Sequence, residues 1–420
     1  MLSRDVRLYL TGAAAFGFAQ EGVRGVLLNL YLLRLGYGPR FIGLVSASSL
    51  LAFTVSCPAA GAMASRKGSR AVMISGMGLI AAGSGLLPLV EVIPESWQEE
   101  WLLAASALGG LGLALYLVNG IPFLMGATRQ EERDHAFSAQ MGLVPLAAFA
   151  GSLVGGALPG LLARMMGIPV NSATMDNPEP YRYALLLAAA LLLPAVWALL
   201  ATKPVRVWPV PAQEDLGQHR GRAPASGKPR SVAERLPWAL ILLIALVAGL
   251  RYAGQSTTRT FFNVYLDDEL GTSTALIGTI TAVAQLVAVP AALATPMLVA
   301  RWSRDRVIVA GSMGQALSQS VLALVPSLGA AGLGYAGTMA MFQTTTSAFR
   351  VYSQELVSPR WRASMAAALM MGAGVTASFM AFFGGFVITA LGYTNLFLLG
   401  AGLTVLGAAV FGMFSRQKGT

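Results

Sequence analysis

From Ala363 to Ser415 the chain runs for 53 residues without one Asp, Glu, Lys or Arg. A bilayer core takes ~20 residues of α-helix to cross, so this stretch is too long for one crossing and fits a hairpin of two. A water-facing helix needs a polar side, and a run of this length offers no charge to build one. The remainder of the chain conforms: hydrophobic residues make up 55% of it and charged residues 11%, against roughly 25% charged in soluble domains. A second uncharged stretch lies between Arg306 and Arg350, broken near Pro326 to Gly334. The pattern predicts an all-α membrane protein with twelve transmembrane helices, over 8–33, 41–64, 71–90, 102–126, 136–163, 183–202, 238–265, 275–300, 307–328, 330–348, 364–391 and 394–415.

With both termini in the cytoplasm, 22 of the 29 Lys and Arg fall in cytoplasmic segments, the bias that orients multi-pass proteins in the cell (inner or plasma) membrane. That topology also accounts for the net charge of +10 without nucleic acid as a partner. One cysteine, Cys57, allows no intrachain disulfide, and with only His135 and His219 beside it a His/Cys metal site is not expected. No cofactor is implied. The N-terminus enters the first helix without the pattern of a cleaved signal peptide.

The two halves repeat. Asn29-Leu-Tyr-Leu-Leu-Arg-Leu-Gly36, followed by Ile42-Gly43, recurs as Asn263-Val-Tyr-Leu-Asp-Asp-Glu-Leu-Gly271, followed by Ile277-Gly278. The expected organisation is two pseudo-symmetric six-helix bundles, residues 1–202 and 237–420, joined by a Pro-, Gly- and Lys/Arg-rich cytoplasmic linker over 203–236. Parallel repeats of this kind place a substrate site near the bilayer midplane between the halves, with access alternating as one half rocks against the other.

With this duplication and long central loop, the chain resembles the major facilitator superfamily over essentially its whole length. The loop after the second helix in that family reads Gly-x-Leu-Ala-Asp-Arg-x-Gly-Arg-Arg. Here Gly61-Ala-Met63-Ala-Ser65-Arg66-Lys-Gly68-Ser69-Arg70 keeps the glycines and two basic positions but has Ser in place of Asp, so the gating role implied for Gly61, Arg66, Gly68 and Arg70 loses its acid. The second-half equivalent, Arg301-Trp-Ser-Arg304-Asp305-Arg306, is also partial. In the fifth helix Gly142, Gly151, Gly155-Gly156 and Pro159-Gly160 are similar to an exporter-type glycine pattern; close packing through small residues is the simpler reading. The helix 4 arginine of multidrug proton antiporters is absent between Leu102 and Gly126.

Glu21 is the one carboxylate in the lipid-soluble part of the sequence, and burying an acid at bilayer depth costs several kcal/mol unless it is paired, neutralised or wetted. Arg24 follows at i+3, on the same face of an α-helix, where the two can pair. Such a Glu-x-x-Arg is similar to that of proton-coupled flippases and some exporters of the superfamily. On the seventh helix Arg251, Gln255 and Arg259 recur every four residues and are expected to face the same cavity. Glu21 against three arginines leaves a nominal +2, a field for an anion or an acidic amphiphile. The bland alternative is a satisfied interhelical network. Tyr116, Asn119 and Gln343 are further candidates for substrate contact, although Asn and Thr in helices often bond only neighbouring backbone. Asp267, Asp268 and Glu269 read as a solvated rim, and Tyr31 and Tyr265 as an aromatic interface belt.

Gly221 to Lys228 has the wrong spacing for a phosphate-binding loop and no Ser or Thr after the Lys, so transport is driven by a gradient or passive. Neither is a nucleophile, base and orienter set visible for an enzyme. Glu21, with Arg24, is the candidate proton-coupling site. The leading expectation is a monomeric secondary transporter, proton-coupled, that exports or flips an amphipathic, anionic small molecule or lipid. An uptake symporter for a polar organic anion or sugar is the alternative, and a sensor or assembly subunit without flux is the alternative of another class.

Overall fold

The computed structural model describes residues 3–168, 176–203, 238–358 and 361–419. The predicted linker falls almost wholly outside the described residues. The structure is all-helical, with no strand among the described residues.

The first rod has three parts: α1 (Arg4–Phe16), a π-helical segment (Gly17–Val23) and α2 (Arg24–Arg34). Ser3 starts it, its hydroxyl accepting from the Val6 N–H. There follow α3 (Pro39–Lys67), with proline in the first turn where its missing N–H costs no bond, α4 (Ser69–Leu86), α5 (Gln98–Ala127) and α6 (Gln130–Met165). Glu132 accepts the N–H groups of Arg129 at 3.1 Å and Ser3 at 3.0 Å, which ties the start of α6 to the start of α1 and holds its carboxyl below the usual range. Helices α7 (Glu179–Ala190) and α8 (Leu192–Leu200) make one bent rod.

The second half comprises α9 (Trp238–Asp268), α10 (Thr274–Trp302), α11 (Arg304–Leu324), α12 (Leu328–Glu355) and α13 (Arg362–Gly419). At ~1.5 Å per residue a straight α13 would overrun any bilayer; it breaks at Gly392, at φ 83°, where the long uncharged stretch predicts the hairpin turn.

Nine helices among the described residues are long and apolar enough to cross a membrane, the broken α13 counting once. The first rod is not among them because the π segment divides it, nor is α12, whose polar run Gln343 to Thr345 lowers its hydropathy.

The backbone repeats as the sequence does. Gly36 and Gly271 take positive φ 235 positions apart, and so do Gly68 (φ 83°) and Ser303 (φ 69°) at the α3–α4 and α10–α11 junctions. The halves meet where α3 packs on α13, α6 on α10 and α2 on α9. These seams are glycine-rich: a Cβ added to Gly156 would lie 2.8 Å from Gly278 Cα, and one on Gly22 2.6 Å from Gly151 Cα within the first half. Gly151, Gly155 and Gly156 are thus close-packing positions, as the small-residue reading expects. Gly142 and Gly160 face open space.

Candidate functional site

Glu21 lies in the π segment of the first rod and accepts, through Oε2, a short charge-assisted hydrogen bond from Arg259 Nη2 on α9. The pair joins the two halves. Its side chains are 30% and 54% exposed respectively; an ion facing lipid at bilayer depth is costly, so the side on which the pair is exposed is taken as the opening between the halves.

Arg24 does not pair with Glu21. The Arg24 N–H bonds the carbonyl of Ala19, five residues back. In this wider turn three residues fall further short of a full rotation than in an α-helix, so Arg24 leaves the face that Glu21 occupies. Its guanidinium enters a small pocket inside the first half, among Gln20, Ser84, Leu28, Leu185 and Leu192, where its Nε is buried without a partner. The Ser84 hydroxyl in this pocket donates to Gln20 Oε1 at 3.1 Å.

Arg251 is also turned away from the opening. Four α-helical residues overshoot a full turn by ~40°, so a stripe of three fans over ~80°. Arg259 faces the opening, Gln255 is buried, and Arg251, 4% exposed, points into the second half. There its Nε donates to Ser312 Oγ at 3.0 Å and its guanidinium carbon stands 4.6 Å from the Phe349 ring centroid. Gln315 and Gln319 continue this buried polar layer, Gln319 Nε2 donating to Thr258 Oγ1 at 3.1 Å. The nominal charge of +2 is therefore corrected. Of the four charges inside the predicted helices, two face the opening, and together they are neutral.

Three further candidates also change place. Tyr116 is 3% exposed and packs its ring 5.1 Å from that of Phe16, inside the first half. Asn119 bonds neighbouring backbone, donating to Leu115 O at 2.9 Å and Ala60 O at 3.5 Å. Gln343 is exposed on α12, its backbone carbonyl accepting from the Ser347 hydroxyl at 3.1 Å.

The end of the molecule away from both termini is closed by polar ties between the halves. Asn29 Nδ2 donates to Thr260 O at 2.7 Å and Asn263 Nδ2 to Gly25 O at 3.0 Å, so the repeated asparagines clasp each other's helices reciprocally. Arg34 reaches Asp267 with both terminal nitrogens, at 2.8 and 2.5 Å, and the two side chains are only 8% and 4% exposed. Tyr181 bonds Thr274 at 2.6 Å, and Gln285 Nε2 donates to Ser152 Oγ at 3.1 Å. Asp267 is therefore a buried clasp and not a solvated rim. Tyr31 and Tyr265 are buried too, Tyr31 donating to Glu91 at 2.8 Å, and belong to no interface belt. The asparagines' recurrence at one repeat position was the signal available in sequence; nothing there marked Ser84, Ser152 or Ser312.

The loop between α3 and α4 is held by one of its four motif residues. Arg70 donates to Leu200 O at 2.7 Å and Thr202 Oγ1 at 3.0 Å, capping the end of α8 in the same half. Gly68 supplies the positive-φ turn, while Arg66 and Gly61 are exposed, with no ion pair to Arg66 among the described residues. In the second half Arg304, just after the equivalent turn, pairs with Glu355 at the end of α12.

A bundle of long apolar rods, duplicated end to end and closed at one end around a charge pair, defines a membrane transporter and not an enzyme. The sequence profile of the Major Facilitator Superfamily matches residues 10–250 and 244–419, and the chain belongs to that family. A protein of Escherichia fergusonii named for multidrug resistance, MdtD, is 31% identical over 152 residues, which are 35% of this chain and 30% of that protein; the match spans about a third of this relative. The fold is shared with a D-xylose-proton symporter (TM-score 0.73, 15% identity, 97% of this chain and 96% of that one). It is also shared with a bacterial homologue of the human lysosomal transporter Spinster in an inward-facing, unoccupied conformation (0.70, 16%, 98% and 96%), and with the nucleoside transporter NupG (0.66, 15%, 98% and 98%).

Proposed function

We propose that this protein is a proton-coupled secondary transporter that carries an amphipathic, acid-bearing small molecule or lipid by alternating access, with Glu21 as proton site and Arg259 as anchor for the acid. The observation that carries this reading is the Glu21–Arg259 ion pair facing the opening between the halves. When Glu21 is ionised it occupies Arg259 and the site is neutral. When Glu21 takes a proton, Arg259 is freed and the site carries +1. The site alternates between 0 and +1, so it favours an anion in its protonated state and offers a cation no favourable state. Proton and anion then bind together and move in one direction.

In this reading residues 1–202 and 237–420 form two six-helix bundles in the cell membrane, twelve helices cross it, both termini are cytoplasmic, and the chain works as a monomer. The ties between Arg34 and Asp267, and between the asparagines, close the outer side, so the structure is inward-facing. Gln343, exposed on α12, and Gln255, buried four residues from Arg259 with its Oε1 unbonded, are the uncharged groups left to contact substrate. Arg251, Tyr116 and Asn119 act through packing.

Efflux by proton antiport is the second reading, favoured by the partial likeness to MdtD and by the α6 glycines. It requires a substrate that competes with the proton at Glu21, which an anion does not. Proteoliposome flux decides between them. With acid outside, an anionic fluorescent amphiphile is expected to accumulate inside, and Glu21→Gln to abolish the dependence on the pH gradient. Extrusion of a lipophilic cation by the same gradient, with no movement of the anion, overturns the proposal.

A further inference from the structure

We infer that Arg24 is the second partner of Glu21, which exchanges Arg259 for Arg24 as the halves rock, and that the π segment of the first rod is the element that makes the exchange. The inference rests on the transport reading above, since it concerns the same acid. π-helical turns are rare and concentrate at functional sites, and this one spans Gly17 to Val23 with Glu21 inside it. In the present state Glu21 reaches across to Arg259, and Arg24 is left in a pocket with no carboxylate and a buried Nε that bonds nothing. Arg24 is half-buried, and a guanidinium whose buried Nε bonds nothing gains from a partner. Opening the closed end must pull α9 from the first rod and with it Arg259 from Glu21. The acid then needs a new counter-charge at the same depth, and among the described residues Arg24 is the cation nearest in the chain.

Geometry supplies the route. If the π segment relaxes to α-helix, Glu21 and Arg24 return to an i, i+3 relation on one face, where a pair forms readily. The surroundings permit such a turn to slip. A Cβ on Gly17 would lie 2.6 Å from Val144 O, and one on Gly22 would lie 2.6 Å from Gly151 Cα. The π segment thus bears on α6 through glycines and backbone, with no side chains interlocked at those points. Gly155 continues the smooth track, a Cβ there falling 2.9 Å from Val23 Cα. The cost of separating Glu21 from Arg259 is then offset inside the first half, which keeps the barrier between the two states low even with no substrate bound.

Spin labels at Glu95→Cys and Glu269→Cys, exposed positions on opposite halves at the closed end, report opening in a Cys57→Ser background without any ligand. Arg24→Gln is expected to lower the ratio of long to short distances about tenfold, and Arg259→Gln to raise it. In a Glu21→Gln background Arg24→Gln should have no effect on the ratio. The same change in both backgrounds, or no change in either, overturns the exchange. Because the readout needs no flux, a protein that carries no anion still tests it, and a failure of the transport reading shows separately in proteoliposomes.

Discussion

At the scale of single residues, charge pairs decide which end of the molecule is shut. Arg34 and Asp267 form a two-pronged contact and are almost wholly covered. Removing one partner of a buried pair strands the other and costs about 3–5 kcal/mol, whereas exchanging the two restores the attraction. Arg34→Asp and Asp267→Arg are each expected to open the closed end, and the double exchange to close it again, read as inter-label distance between the halves. Recovery absent from the double variant, in protein of normal thermal stability, would show that packing closes that end. The sequence placed Asp267 among solvated acids because three acids stand together there; burial of the first depends on Arg34, 233 positions away.

Among elements, the two junctions at Gly68 and Ser303 show how a duplicated backbone outlives its residues. Both need positive φ with extended ψ, a region that is close to glycine-only and costs an L side chain ~1–3 kcal/mol. Glycine meets that need in the first half. Serine bears the strain in the second, its hydroxyl bonded to Asp305 at 2.7 Å. Ser303→Gly is therefore expected to stabilise the protein by ~1 kcal/mol and Gly68→Ala to destabilise it by as much, measured as opposite shifts in melting temperature. Helix positions were legible because charge gaps and glycine turns are local signals, and the break at Gly392 falls between the predicted ends at 391 and 394. The π segment was not legible. Gly-Phe-Ala-Gln-Glu-Gly-Val reads as ordinary apolar helix, and its wide turn lies where its glycines approach the α6 backbone closely.

For the molecule as a whole, the halves meet at α6 and α10 through glycine against glycine, which lets the two backbones approach closely. Gly156→Val would drive a side chain into Gly278 Cα and Thr274 O, so it is expected to hold the outer ends apart and move the inter-label distances to the long population without ligand. A distribution like that of the unmodified protein would show that the seam yields elsewhere. The sequence by itself determined the class of molecule: long uncharged runs can only be buried in lipid, the repeat forces two like halves, and a lone acid at bilayer depth must be paired. Tertiary structure alone decided which cation pairs with it. Arg24, Arg251 and Arg259 look equivalent along the chain, but a change of a few tens of degrees in helix phase sends one into the first half, one into the second, and leaves Arg259 alone facing Glu21.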